Sequence, residues 1–158
     1  MIGFQKQRSE VMAIHVRFVL LALGLIASVF HSAIAQDEAR TLKVKVHYTG
    51  SGTVDEQHKI FTFLFGSPQF THGGDIPFAM RYIASKESVV TFSNVDRSPV
   101  YVGTVYDASG KFDGQSSPPS GSALGAYSTD SEKPAPVKLE EGKTVEIEMS
   151  FDDSAKVP

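Results

Sequence analysis

Cysteine is absent from the 158-residue chain. That excludes a disulfide scaffold, a thiol nucleophile, a zinc site built on thiolates and a lipid-modified N-terminal cysteine, so stability has to come from burial alone. Asparagine occurs once, at Asn94, and the Val-Asp that follows it makes no N-glycosylation sequon. Lysine and arginine form no cluster, which argues against nucleic acid or an anionic membrane surface as partner, since both are recognised by concentrated positive charge. Long apolar runs are missing too: FVLLALGLIASVF at 18–30 has thirteen uncharged residues, short of the roughly 20 that span a bilayer.

What is present around that run has the layout of a secretory signal peptide. His15 and Arg17 precede it, HSAIAQ follows it, and the small residues Ala33 and Ala35 place a cleavage site before Gln36. An uncleaved N-terminal anchor is the alternative, and Met12 offers a second start that leaves the mature protein unchanged. Residues 1–35 are therefore expected to be removed on export to the periplasm or the medium, leaving no membrane span. Of the 15 Lys and Arg and 18 Asp and Glu, 12 and 17 fall after residue 35, giving the mature chain a formal charge of −5. The remaining 123 residues suffice for one domain with a core and are too few for two ordinary ones.

Strand signals fill most of that domain. LKVKVHY at 42–48 alternates Leu42, Val44, Val46 and Tyr48 against Lys43, Lys45 and His47, the pattern of a half-buried strand. KIFTFLFG at 59–66 puts Phe61, Phe63 and Phe65 on one face and Ile60, Thr62 and Leu64 on the other, which predicts a central strand or one covered on its outer side. An extended segment is favoured at 77–85, and 88–95 and 99–107 read as a hairpin joined by Asp-Arg-Ser. Two further strands are expected at 137–140 and 143–151, the second with Val145, Ile147, Met149 and Phe151 inward. These features predict an all-β fold, a single antiparallel β-sandwich of about seven strands with a prealbumin-like or Ig-like arrangement. Residues 36–41 form a linker, 42–151 the domain, 107–136 a long loop and 152–158 a polar tail.

VVTFSNVDRSPVYVGTVYDASGKFDG resembles the transthyretin-like or carboxypeptidase regulatory-like domains, prealbumin-type sandwiches. Phe92, Asn94 and Val95 match the first part of their pattern, and Tyr101, Val102, Val105, Asp107, Gly110 and Asp113 the second; the closing VKLEEGKTVEIEMSF matches their short strand, glycine turn and final alternating strand. The chain departs from the pattern at Asp96-Arg97-Ser98-Pro99, where the family has Pro-x-Gly, and at Asp-Ala-Ser-Gly, where it has Asp-x-Asn-Gly. The resemblance implies a non-catalytic accessory or binding module. A subset of transthyretin-like proteins hydrolyses 5-hydroxyisourate with a terminal Tyr-Arg-Gly-Ser signature, which SFDDSAKVP lacks.

Three groups of residues are candidates for chemistry and a fourth for ligand binding. Asp107, Ser109 and Asp113 around the Gly110 turn offer oxygens for calcium, although that ion takes six to eight and Lys111 sits amid them; the alternative is an Asp107 turn bonded to its own backbone. His47 and His58, with Asp55 and Glu56 near, would face each other across a hairpin and supply two ligands of the three or four that zinc or copper needs. His72-Gly73-Gly74-Asp75 places a base beside a carboxylate without a nucleophile motif. Tyr106, Phe112 and Tyr127, with Tyr82 and Tyr101, cluster near strand ends and the long loop, where they would form a lip for a small ligand, a glycan or a peptide. The sequence therefore predicts an exported module without catalytic function or cofactor, with an unknown envelope protein, glycan or small ligand as partner; a small transthyretin-like hydrolase and a calcium-stabilised structural domain are the alternatives.

Overall fold

Apolar alternation fixes the first strand, β1 (Arg40–Tyr48): Leu42, Val44, Val46 and Tyr48 are buried, and Lys43, Lys45 and His47 stand on the opposite face. The computed structural model describes residues 39–72, 75–130 and 133–158; the expected signal peptide lies outside the described residues. Six more strands follow, β2 (Ile60–Phe65), β3 (Ala79–Ile83), β4 (Glu87–Val95), β5 (Tyr101–Tyr106), β6 (Ala123–Ala126) and β7 (Thr144–Phe151), with a 3-10 turn at Pro68–His72 between β2 and β3. They form a three-stranded sheet, ordered β4-β1-β7, and a four-stranded sheet, ordered β3-β2-β5-β6. Among the described residues no helix is long and apolar enough to cross a membrane.

The two sheets share one core. Leu42, Val44 and Val46 of β1, Phe92 of β4 and Met149 of β7 meet Ile60 and Leu64 of β2 and Val102 of β5. At one end the Tyr48 ring packs 4.6 Å from that of Tyr106, and its hydroxyl donates to Asp153 Oδ1 at 2.6 Å. The other Asp153 oxygen accepts from the Ser51 amide and hydroxyl at 3.0 and 3.1 Å, so one carboxylate ties β1 and the loop after it to the chain beyond β7. Where β4 leaves β1, its register gains a residue between the pairs Leu42↔Phe92 and Arg40↔Val95. Asn94 takes a left-handed φ of 57° at this bulge, a conformation Asn tolerates better than most residues.

Several expectations need correction. Among the described residues four of the five strand pairs are antiparallel, but β1 and β7 run parallel, from Thr41↔Thr144 to Tyr48↔Phe151, so the sandwich is mixed. β1 and β7 lie at opposite ends of the domain sequence with five strands between them, so the parallel pairing needs no direct crossover; residues 127–143 lead from β6 in one sheet to β7 in the other. β4 and β5 are not a hairpin. β4 is an edge strand buried on one face, whereas β5 is buried along nearly its whole length and sits between β2 and β6, so the short link 96–100 crosses from one sheet to the other. The strand expected at 137–140 reduces to a single bridge, Val100↔Val137. A strand missed in the sequence, β6, lies inside the stretch read as a long loop. Residues beyond β7 do not hang free: Leu124 donates to the Ala155 carbonyl at 2.8 Å and Val157 to that of Ser122 at 2.9 Å, which covers the open edge of β6.

Candidate ligand-binding site

Every residue of β2 is buried, including the three phenylalanines that point away from the shared core. Such a face would expose a contiguous aromatic strip to water unless something covered it. Two loops do. The β2–β3 loop lays Phe70 flat on Phe65, with ring centroids 4.1 Å apart and planes 7° from parallel. Gly103 of β5 makes this possible, because a Cβ there would lie 2.9 Å from the Phe70 ring and 3.1 Å from that of Phe65. The β5–β6 loop inserts Phe112, edge-on to Phe61 at 5.0 Å and 6.2 Å from Phe63. Together with Val105 these rings form a second apolar cluster outside the sandwich core.

Asp107 holds the Phe112 loop in place. Its carboxylate accepts the Ser109 amide and hydroxyl at 2.9 and 2.6 Å, the Lys111 amide at 2.9 Å and the Phe112 amide at 3.0 Å. Burial pushes the Asp107 carboxyl up, but the hydrogen bonds from Ser109, Lys111 and Phe112 outweigh it and hold the group below the ordinary carboxylate range. Asp113 serves a second turn: Oδ1 accepts the Gln115 amide at 2.8 Å and the Ser116 amide and hydroxyl at 3.2 Å, which lowers its pKa. Gly114 follows with φ of 82°, and a Cβ there would overlap the Met80 sulfur.

Between the two loops runs a groove of about 740 Å³, walled by Phe63, Phe65, Phe70, Phe112, Val105 and Leu124. That volume and lining are those of sites that enclose small organic ligands. Ile76, 84% exposed, stands on its rim. Beside it Asp75 accepts the Ser67 and Ile76 amides, each at 2.9 Å. Phe112 also walls a neighbouring polar cleft of about 560 Å³, lined by Glu56, His58, Lys59 and Tyr82 among others; there Lys59 Nζ lies 4.2 Å above the half-exposed Tyr82 ring.

The three residues proposed as a lip do not come together. Tyr106 is 3% exposed inside the shared core and donates its hydroxyl to the Thr53 carbonyl at 2.8 Å; burial pushes its pKa up. Tyr127 packs half-buried against that same core, and Phe112 alone reaches the outer groove. Nor do the histidines meet across a hairpin, because β1 and β2 belong to different sheets. His47 stands between Glu87 and Glu148, its Nδ1 3.5 Å from one carboxylate and its Nε2 2.8 Å from the other, an ion-pair distance without hydrogen-bond angles. His58 Nδ1 lies 2.9 Å from Asp55, whose carboxyl is lowered by the His58 and Gln57 amides. The His72 side chain, Gly73 and Gly74 lie outside the described residues. Among the described residues no three His, Asp or Glu side chains are placed to hold a metal ion.

No family model, curated protein or solved structure matches the chain. The site therefore has to be judged on its own geometry. Phe70, Gly103 and Leu124 carry much of that geometry and were not singled out in the sequence. Gly103 had a signal: a glycine within a strand often marks the close approach of another group. Phe70 and Leu124 sit in segments whose Ser, Pro and Gly content reads as plain loop.

Proposed function

We propose that the protein is an exported, non-catalytic β-sandwich module that binds a small apolar ligand on the outer face of its four-stranded sheet. The observation that carries this is the groove between the Phe70 and Phe112 loops, where two docked loops leave an apolar channel beside a sheet already packed on its other side. Export rests on the signal-peptide pattern. The likeness of 89–114 to transthyretin-like and carboxypeptidase regulatory-like domains supports a module whose role is to bind or to assist, though a fold carries no function of its own.

N-phenyl-1-naphthylamine, an uncharged fluorophore of suitable size, tests the reading. Its emission is expected to rise on titration with the mature protein, with a Kd on the order of 1–10 µM for a ligand of that size. Leu124→Asp, in the groove wall, should abolish the signal while far-UV circular dichroism stays unchanged. Val89→Asp, at an exposed apolar residue of the other sheet, should leave it intact. No enhancement with the wild type, or equal loss in both variants, overturns the proposal.

A further inference from the structure

We infer that the groove selects an uncharged aromatic ring system and rejects anions, fatty acids included. This rests on the reading of the groove as a ligand site and adds the chemical class of its occupant. Among the described residues that line it there is no Lys, Arg or His, and the one ionisable side chain is the carboxylate of Asp75. The nearby cation does not line the groove: Arg97 donates to both oxygens of Asp96, at 3.0 and 3.3 Å, and lies 4.1 Å over the Phe78 ring, from where it offsets only part of the Asp75 charge. Lys133 faces the neighbouring cleft beyond β6.

The backbone donors of the groove floor offer an anion no better hold. β5 forms the groove floor and is paired on both sides, with β2 and with β6, and the Leu124 amide at the edge of β6 donates to Ala155. The remaining polar rim is neutral, made by Gln115, Ser116 and Ser117. An acid entering this site would give up its hydration for a carboxylate neighbour, with no counter-charge among the described lining residues. A neutral ring system meets four phenylalanine rings, which reward aromatic contact beyond area alone, and a hydroxyl or carbonyl on it would reach the serine rim.

A matched pair of probes separates charge from shape: N-phenyl-1-naphthylamine, and 8-anilinonaphthalene-1-sulfonate, which has the same ring skeleton with a sulfonate added. At pH 8, where an ordinary imidazole is uncharged, the mature protein should bind the sulfonate roughly ten- to a hundredfold more weakly, the order expected of like charges a few ångströms apart at a protein surface. Asp75→Asn should narrow that ratio; because the exchange also turns one of the two oxygens that accept the Ser67 and Ile76 amides into a donor, the readout is the ratio of the two affinities within the variant, which a shifted loop or partial unfolding lowers for both probes alike. Dodecanoate should fail to displace the neutral probe. Equal affinity for the two probes, an unchanged ratio in Asp75→Asn, or displacement by stoichiometric dodecanoate overturns the inference while the groove stands as a site. Binding of neither probe overturns the proposed function instead.

Discussion

Asp107 decides the position of Phe112, because its carboxylate is the acceptor for the amides of both Lys111 and Phe112. Asp107→Asn exchanges one acceptor oxygen for a donor and leaves a buried amide unpaired, a loss of roughly 1–3 kcal/mol. The folded carboxyl titrates below its unfolded value, so its stabilisation is present above about pH 4 and disappears as pH falls through the lower, folded pKa. Melting temperatures should therefore separate wild type and Asp107→Asn by several degrees at pH 7, with the gap closing toward pH 2.5; a gap independent of pH would mean that the charge is not the anchor. Thr62 and Thr104 give the opposite case. They pair directly across β2 and β5, both face the core, and among the described residues neither Oγ1 has a hydrogen-bond partner. Thr104→Val keeps the shape and removes an unsatisfied hydroxyl, and should raise stability by about 1 kcal/mol, seen as a higher denaturation midpoint. A lower midpoint would show that the hydroxyl has a partner.

At the scale of elements, β6 owes its protection to the residues after β7. Removing residues 154–158 takes away the carbonyl of Ala155 and leaves the Leu124 amide on an open sheet edge. Exchange at that amide should quicken at least tenfold while β1 amides, paired on both sides, change far less; uniform acceleration would mean that the segment supports the whole fold. β6 also marks where the sequence stops being readable. β1 was legible because its alternation repeats through four buried positions, and β2 because apolar residues on both faces demand cover on both. β6 is four residues, Ala-Leu-Gly-Ala, with weak strand propensity, so its position is set by β5 and the C-terminal segment. The β4–β5 link misled for a related reason: a short connection is compatible with a hairpin or with a change of sheet, and burial on one face versus two decides. Of the site, Asp107 and Phe112 stood out in the sequence, whereas Phe70 and Leu124 gain meaning only when two loops meet over β5.

Over the whole molecule, the four-stranded sheet lies between two apolar layers of unequal standing. The inner one joins both sheets; the outer one joins a sheet to two loops. The loops can open while the inner layer stays packed, because nothing in the shared core has to separate for Phe70 or Phe112 to lift. Hydrogen exchange, in the regime where it reports the opening equilibrium, distinguishes this from a single cooperative unit. Leu42→Ala in the inner layer should cost about 2–5 kcal/mol, accelerating the β1 amides by roughly 30- to several-thousand-fold. The Phe112 amide should exchange as in wild type, within about threefold, since Leu42 is equally packed with the loop closed or open. Acceleration of both by the same factor would join the loop to the global unit, and a ligand could then enter only by exchange through the rim. If the loop opens by itself, N-phenyl-1-naphthylamine at saturating concentration should slow exchange at the Phe112 amide, because a ligand bound to the closed groove penalises each opening by its own binding free energy.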